Sequence, residues 1–157
     1  MAKGPFMEYL RASAIQTAAN AYKETTIPTP TSKTENLAML IHSIEMVPAA
    51  LIDTTPTNAD NVTVHVSKLT KTGARDISDP DILGYFRSYT ALNAVFNQCL
   101  LTGSMTQKFD PPILYPHTNL YLGISTVGYT AITNVACRIG YTLEKVSRED
   151  FISALVE

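Results

Sequence analysis

Charge is what this chain has least of. Lys, Arg, Asp and Glu make up 17 % of its 157 residues, against about 25 % in ordinary globular domains. Residues 111–137, PPILYPHTNLYLGISTVGYTAITNVAC, contain none of the four, and neither do residues 88–107, so only Lys108 and Asp110 interrupt the span from 88 to 137. The net charge of −2 and a pI near 5.9 remove any general electrostatic reason to bind nucleic acid. Basic residues are scattered, with Lys68, Lys71 and Arg75 the densest group, and no basic arm exists to neutralise a packaged genome by counterion release. Tryptophan is absent, and two cysteines, Cys99 and Cys137, are too few for a disulfide scaffold. They read as small buried hydrophobes rather than as a bridge. Apolar runs are short as well. None approaches the roughly 18 residues of a membrane span, and MAKGPFMEYLRASA lacks the apolar centre of a signal peptide.

Threonine is abundant, with 20 residues, and β-branched side chains suit a pleated, half-buried surface. Two explanations of the low charge stay open: partners cover much of the surface, or a polar-neutral surface is simply rich in Thr, Ser and Asn. Covered interfaces are depleted in Lys, Glu and Asp, which favours the first.

Met7, Leu10, Ala14, Ala18 and Ala21, widened by Ile15 and Tyr22, fall at helical spacing, so GPFMEYLRASAIQTAANAYKE (4–24) is expected as a short helix. TTIPTPTS then forbids helix. Residues 1–30 thus form an expected arm, which packs either on its own core or on a neighbour. LAMLIHSIEMV (37–47), apolar on both parities, is expected as a strand buried on both faces or a short helix, and LIDTTPTNADN as a loop. NVTVHVSKLT alternates, with Val62, Val64 and Val66 on one face and Thr63, His65 and Ser67 on the other. It predicts a half-buried strand, with KTG as a hairpin turn and ARDIS as a short return strand. Asp79-Pro80 looks like a helix start leading into ILGYFRSY. ALNAVFNQCLL leans towards strand, and SMTQKFDPPILYPH is expected as an extended connection. NLYLGIST (119–126) and AITNVACRIGYTLEKVS (131–147) are expected as a final strand pair about VGYT. Val135, Cys137, Ile139, Tyr141 and Leu143 share one face of the second. Ser147 and Asp150 sit at capping-box spacing before a short terminal helix. Many strands with few helices indicate an all-β antiparallel β-sandwich, here spanning residues 31–147, with residues 148–157 as a C-terminal helix.

No spacing points to chemistry. His42, His65 and His117 are far apart in sequence, and no H-x-H, H-E-x-x-H or C-x-x-C occurs. No metal, cofactor or catalytic residue is therefore expected. Cys137 lacks a setting that lowers a thiol pKa. DISDPD lacks the spaced ligands of a calcium loop and is better read as a turn and cap.

The order of a Thr/Pro-rich leading segment, LAMLIHSIEMV, paired middle strands, FDPPILYPHTNLYLGIST and the long CRIGYTLEKVS resembles the small single jelly-roll capsid proteins of icosahedral viruses. The leading segment here is not basic, and the chain closes with a helix where a strand is usual. The resemblance implies a non-enzymatic building block, a single jelly roll with short N- and C-terminal helices. Identical subunits, joined by other virion proteins where a virion has them, would form a closed shell assembled in the host cytoplasm. It implies subunit contacts through Met7, Leu10, Ile15, Tyr115, Tyr121 and Tyr129, and no sequence-specific nucleic-acid binding. The competing readings are a carbohydrate-binding sandwich, disfavoured by the missing Trp, and a phage tail or head-completion ring. An enzyme comes last.

Overall fold

The structure, a computed structural model, describes residues 6–53, 60–89, 99–101 and 103–156, with only the backbone at 51–53 and 99–101. Ten strands precede one helix: β1 (Glu8–Ile15), β2 (Lys23–Pro28), β3 (Leu37–Pro48), β4 (Leu51–Asp53), β5 (Asn61–Ser67), β6 (Ile82–Tyr89), β7 (Cys99–Leu101), β8 (Met105–Tyr115), β9 (Asn119–Val127), β10 (Asn134–Lys145) and α1 (Arg148–Val156).

The antiparallel pairing nests from the two ends of the chain inwards. β1 pairs with β10, β2 with β9, β3 with β8, β4 with β7 and β5 with β6. Such a pattern is one long ribbon folded back on itself at residues 68–81. Two further pairings, β10 with β3 and β9 with β5, roll that ribbon into two four-stranded sheets of order β1-β10-β3-β8 and β2-β9-β5-β6. This is the double-sheet jelly roll. The core lies between the sheets and is built from Met39, Ile41, Ile44 and Met46 of β3, Val62, Val64 and Val66 of β5, Leu120, Leu122 and Ile124 of β9, and Val135 and Ile139 of β10, each at most 1 % exposed.

Several expectations are corrected. Within the helix expected over 4–24, residues 8–15 are a strand instead: all eight residues of β1 lie in register with β10, Glu8 opposite Tyr141 and Ile15 opposite Asn134. An alanine-rich helix of this length is marginal alone in water, whereas pairing satisfies the open edge of β10 and turns Leu10, Ala12 and Ala14 onto the core. Asp79-Pro80 begins no helix. The Asp79 carboxylate accepts the Asp81 N–H at 3.0 Å, a side-chain turn, and aromatic ILGYFRSY continues as β6. ARDIS is therefore not the return strand; residues 82–89 are. The connection expected at 105–115 is β8, an edge strand. Its paired ends flank Asp110–Pro112, which oppose no residue of β3; an edge tolerates proline because no ladder donor is lost there. β9 and β10 are not a hairpin, since they belong to different sheets and the turn at Gly128 (φ 86°) crosses between them. Within the stretch LIDTTPTNADN, residues 51–53 form β4; residues 54–59, and 91–98 of the stretch leaning to strand, lie outside the described residues.

Expected features that hold are the strands β5, β9 and β10 and the terminal helix; β3 settles the open choice between strand and helix as a strand, buried on its core face at Met39, Ile41, Ile44 and Met46 but not on both faces, since Val47 is exposed. β10 keeps its alternation, with Val135, Cys137, Ile139 and Tyr141 buried. At α1 the Ser147 hydroxyl oxygen accepts the Asp150 N–H at 3.1 Å and donates to the Asp150 carboxylate at 2.6 Å, the reciprocal cap its spacing announced. Phe151, 2 % exposed, anchors the helix.

Candidate functional site

Three surfaces hold the polar or apolar features that the fold alone does not require. The first is the outer face of β1-β10-β3-β8. Register sets its rows: Ser13, Ala136 and Val47; then Arg11, Arg138, Glu45 and Thr106; then Tyr9, Gly140, Ser43 and Lys108. Arg138 donates to the Glu45 carboxylate from Nε at 2.8 Å and from Nη2 at 2.5 Å, and its guanidinium lies 5.2 Å from the Tyr9 ring centroid. Arg11 faces Arg138 and forms no ion pair with a described residue. Gly140 is required here, because a Cβ would stand 2.6 Å from Ser43 Oγ and 3.3 Å from both Met7 Sδ and Tyr9 Cε1. A hollow of about 480 Å³ lies beside this row, bounded by Tyr9, His42, Lys108, Asp110 and Arg138. His42, the bulged residue of β3, bonds through Nε2 to Thr142 Oγ1 at 2.9 Å.

The second surface is apolar. At the end of the same sheet, Ile15, Val47 and Ile132 are 56, 43 and 53 % exposed. They are neighbours: Ile15 pairs with Asn134, Val47 with Ala136, and Gln16 N–H donates to the Thr133 carbonyl at 3.0 Å. Gln16 itself, 2 % exposed, ties this end together. Its amide donates to the Ala21 carbonyl and to Thr126 Oγ1, and its carbonyl oxygen accepts from the Thr133 N–H. Phe6, Met7 and Tyr9 form a second exposed apolar group at the other end of β1, beyond Ser13 and Arg11.

The third lies on the outer face of β2-β9-β5-β6, where sequence reasoning placed Thr63, His65 and Ser67 towards solvent. All three are at most 2 % exposed. Side chains and the 68–81 connection fold over them: Arg87 Nε donates to Thr63 Oγ1 at 2.9 Å, Ser67 donates to the Leu69 carbonyl at 2.8 Å, and the Tyr22 ring stacks on His65 at 5.9 Å. Glu24 holds the connection down, accepting from Thr70 Oγ1 at 2.6 Å, from the Lys71 N–H at 2.8 Å and from Tyr22 Oη at 2.8 Å. Lys71 Nζ in turn pairs with Asp81 at 2.6 Å and Asp79 at 3.0 Å. The hydrogen bond to Asp81 raises the Lys71 pKa despite burial, and the Asp81 N–H together with Lys71 lowers that of Asp79.

The Tyr22 hydroxyl has one proton, and Glu24 takes it. The contact of 3.3 Å between Tyr22 Oη and His65 Nε2 therefore has the imidazole as donor. Nδ1 is left as a buried acceptor with no partner among the described residues. Burial drives the His65 pKa down to about 4, against the pull of Glu24, and raises that of Tyr22, whose hydroxyl is also held by Glu24. The cluster is a neutral histidine locked under a carboxylate clamp. Its signal in the sequence was Tyr22 and Glu24 two residues apart, one face of a strand, which the helical reading of that segment hid.

The six expected contact residues separate. Met7 and Ile15 are exposed, and Tyr121 is half-buried. Leu10 packs inward against the core. Tyr115 and Tyr129, 1 and 3 % exposed, are corrected to core positions: the Tyr115 hydroxyl donates to the Asn119 carbonyl, and the Asn20 side-chain amide pairs with both backbone groups of Tyr129 at 2.8 and 2.9 Å. Cys137 is a free buried thiol pushed up to about 12 by burial and by Glu45, which suits a core residue and not a nucleophile. Among the described residues no group of three His, Cys, Asp or Glu side chains is placed to hold a metal, and no helix is long and apolar enough to cross a membrane.

No protein-family profile and no curated protein matches the chain. Among solved structures, the X-ray structure of tomato aspermy virus is similar at a TM-score of 0.43 and 10 % identity, over 87 % of this chain and 77 % of that chain.

Proposed function

We propose that the chain is a structural protein whose identical copies assemble into a closed shell, such as a virus capsid, through low-charge surfaces. The observation that carries this reading is two groups of exposed apolar residues on the outer face of this sheet, Phe6, Met7 and Tyr9 at one end of β1 and Ile15, Val47 and Ile132 at the other, with Arg11 and Ser13 between them. Isolated exposed apolar residues are ordinary, but contiguous ones mark an interaction surface. An unpaired strand edge adds a row of backbone donors and acceptors that a neighbour can use. The scarcity of charge supports the same reading, since a buried unpaired ion costs several kcal/mol.

The test is the mass and shape of the purified chain, by light scattering with negative-stain electron microscopy. Uniform closed particles of megadalton mass are expected. Rings of modest copy number point to a tail or head-completion part. A 17 kDa monomer that persists at high concentration overturns self-assembly.

A further inference from the structure

A sheet edge invites further pairing unless proline, charge, a bulge or a short strand guards it. The edge at β8 is guarded, since Asp110, Pro111 and Pro112 interrupt its pairing with β3. The edge at β2 is short, begins with Lys23 and Glu24 and ends in Pro28. β1 differs from both. Its eight residues hold no proline, pair with β10 without a shift in register, and carry Arg11 as the one charge on their outer face. It stands first in the order β1-β10-β3-β8, and among the described residues no strand pairs with its free side.

The ladder with β10 fixes which backbone groups that free side presents. In an antiparallel pair, alternate residues turn both N–H and C=O to the same neighbour. The Gln16 N–H donates to the Thr133 carbonyl at 3.0 Å, in the register that continues β1 along β10. Even-numbered residues therefore bond β10, and Tyr9, Arg11, Ser13 and Ile15 turn their N–H and C=O to the open edge. The same four residues are exposed on the outer face. Leu10 and Ala12, on the core face, are only partly buried.

We propose that β1 pairs antiparallel with β1 of a second copy about a two-fold axis at Ala12, joining two four-stranded sheets into one continuous sheet. This rests on the assembly reading above and names a contact that assembly uses. The period of two limits the register to those that keep core face beside core face. An axis at Arg11 sets two guanidinium groups directly opposite, which is destabilising. An axis at Ser13 sets Arg11 against the apolar Ile15 and carries Tyr9 past the end of the partner's strand. An axis further along shortens the paired stretch. The axis at Ala12 sets Tyr9 against the partner's Ile15 and Arg11 against the partner's Ser13, each twice by symmetry. These are the residues whose backbone groups face the open edge, so each pair exchanges two N–H···O bonds. On the core face Leu10 meets the partner's Ala14, which covers the side that one copy leaves open. The two exposed apolar groups lie at opposite ends of β1 in one copy; antiparallel pairing brings the first group of each copy beside the second group of the other.

The experiment reads the register in the full-length chain. Directly opposite residues of a hydrogen-bonded pair have Cα atoms about 5.5 Å apart, within reach of a disulfide. Arg11→Cys chains co-expressed with Ser13→Cys chains and oxidised should give a crosslinked dimer, assigned to positions 11 and 13 by peptide mass spectrometry. Neither variant alone should crosslink through its altered position. Ser13→Pro removes an N–H that faces the open edge and no bond to β10, so it should keep the wild-type circular dichroism spectrum and lose the assembled species, whereas Ser13→Ala keeps both. Particles that form without the crosslink between positions 11 and 13, or a crosslink from Arg11→Cys alone, overturn this pairing and leave the assembly reading standing. Folded Ser13→Pro that assembles like wild type does the same. Should Ser13→Pro fail to fold, the crosslink decides. A wild-type chain that stays monomeric at high concentration overturns both.

Discussion

At the scale of single residues, His65 shows how burial, rather than spacing, makes a side chain consequential. Its ring sits opposite Gly123 on β9, where a Cβ would come within 2.5 Å of Nε2 and 2.7 Å of Tyr22 Oη, so a glycine on one strand makes room for a histidine on the next. The groups that face it are Tyr22 just before β2, Glu24 from β2, Tyr85 from β6, and Lys71, Arg75 and Asp79 from the 68–81 connection. With a folded pKa of about 4 and an ordinary value of 6.5, the unfolded chain holds the extra proton between those pH values. Stability therefore rises with pH through that window and gains nothing more from this group above it. Asp76 and Asp79, held low by their hydrogen bonds, add losses at still lower pH, and His117, whose pKa is also lowered, by burial and by Lys68 and Lys33, adds to the loss on the acid side of its ordinary value. The contribution of His65 is isolated by a difference. Urea midpoints of wild type and His65→Gln, measured from pH 4 to 8, should converge at the acid end and separate towards neutrality. Parallel curves would show that His65 does not titrate with folding.

At the scale of elements, β1 is the piece whose role changes most between sequence and structure. Leu10, Ala12 and Ala14 meet the core and Tyr9, Arg11, Ser13 and Ile15 face outward, a two-residue period. The same letters also satisfy a helical stripe, and alanine favours helix when nothing else decides. What decides is the open edge of β10, 119 to 133 residues away in sequence across the register from Ile15–Asn134 to Glu8–Tyr141, which no local pattern reports. Deleting residues 1–22 should then remove an edge strand and the Gln16 tie, leaving β10 with an open edge and the core exposed at Ile139 and Val135. The truncated chain is expected to lose cooperative thermal unfolding. If it instead retains a sharp transition and a full β-sheet circular dichroism spectrum, the segment is a dispensable arm. The elements that were legible, β5, β9, β10 and α1, have apolar alternation or a cap written locally, whereas β3, apolar on both parities, left strand or helix open. β6 and β8 were not, because Asp79-Pro80 serves a turn as readily as a helix start and the prolines of β8 sit at an edge. The buried clamp on His65 was illegible for the same reason as β1: its parts come from β2, β5 and the 68–81 connection, and only pairing register brings them together.

At the scale of the whole molecule, the uncharged span 88–137 has a double explanation. Part of it is core, since Tyr115, Leu120, Leu122, Ile124, Tyr129 and Val135 are all buried within the chain, so low charge there needs no partner. Among the remaining described residues of the span, Tyr89, Val127 and Ile132 are exposed and apolar, and only these speak for assembly. The distinction yields a paired prediction. Tyr129→Asp places a charge where the side chain is 3 % exposed, and should cost more than about 4 kcal/mol and leave no folded protein. Ile132→Asp, three residues further on at 53 % exposure, should change stability by no more than about 0.5 kcal/mol. Yet it sits beside Ile15 in the exposed apolar group, where a subunit contact would have to bury the new charge. Combined with Ile15→Asp it is expected to yield a folded monomer with a wild-type far-ultraviolet spectrum and no particles by electron microscopy. Particles of normal size from that double variant would move the contact surface elsewhere, with the Arg11–Arg138–Glu45 row as the next face to test.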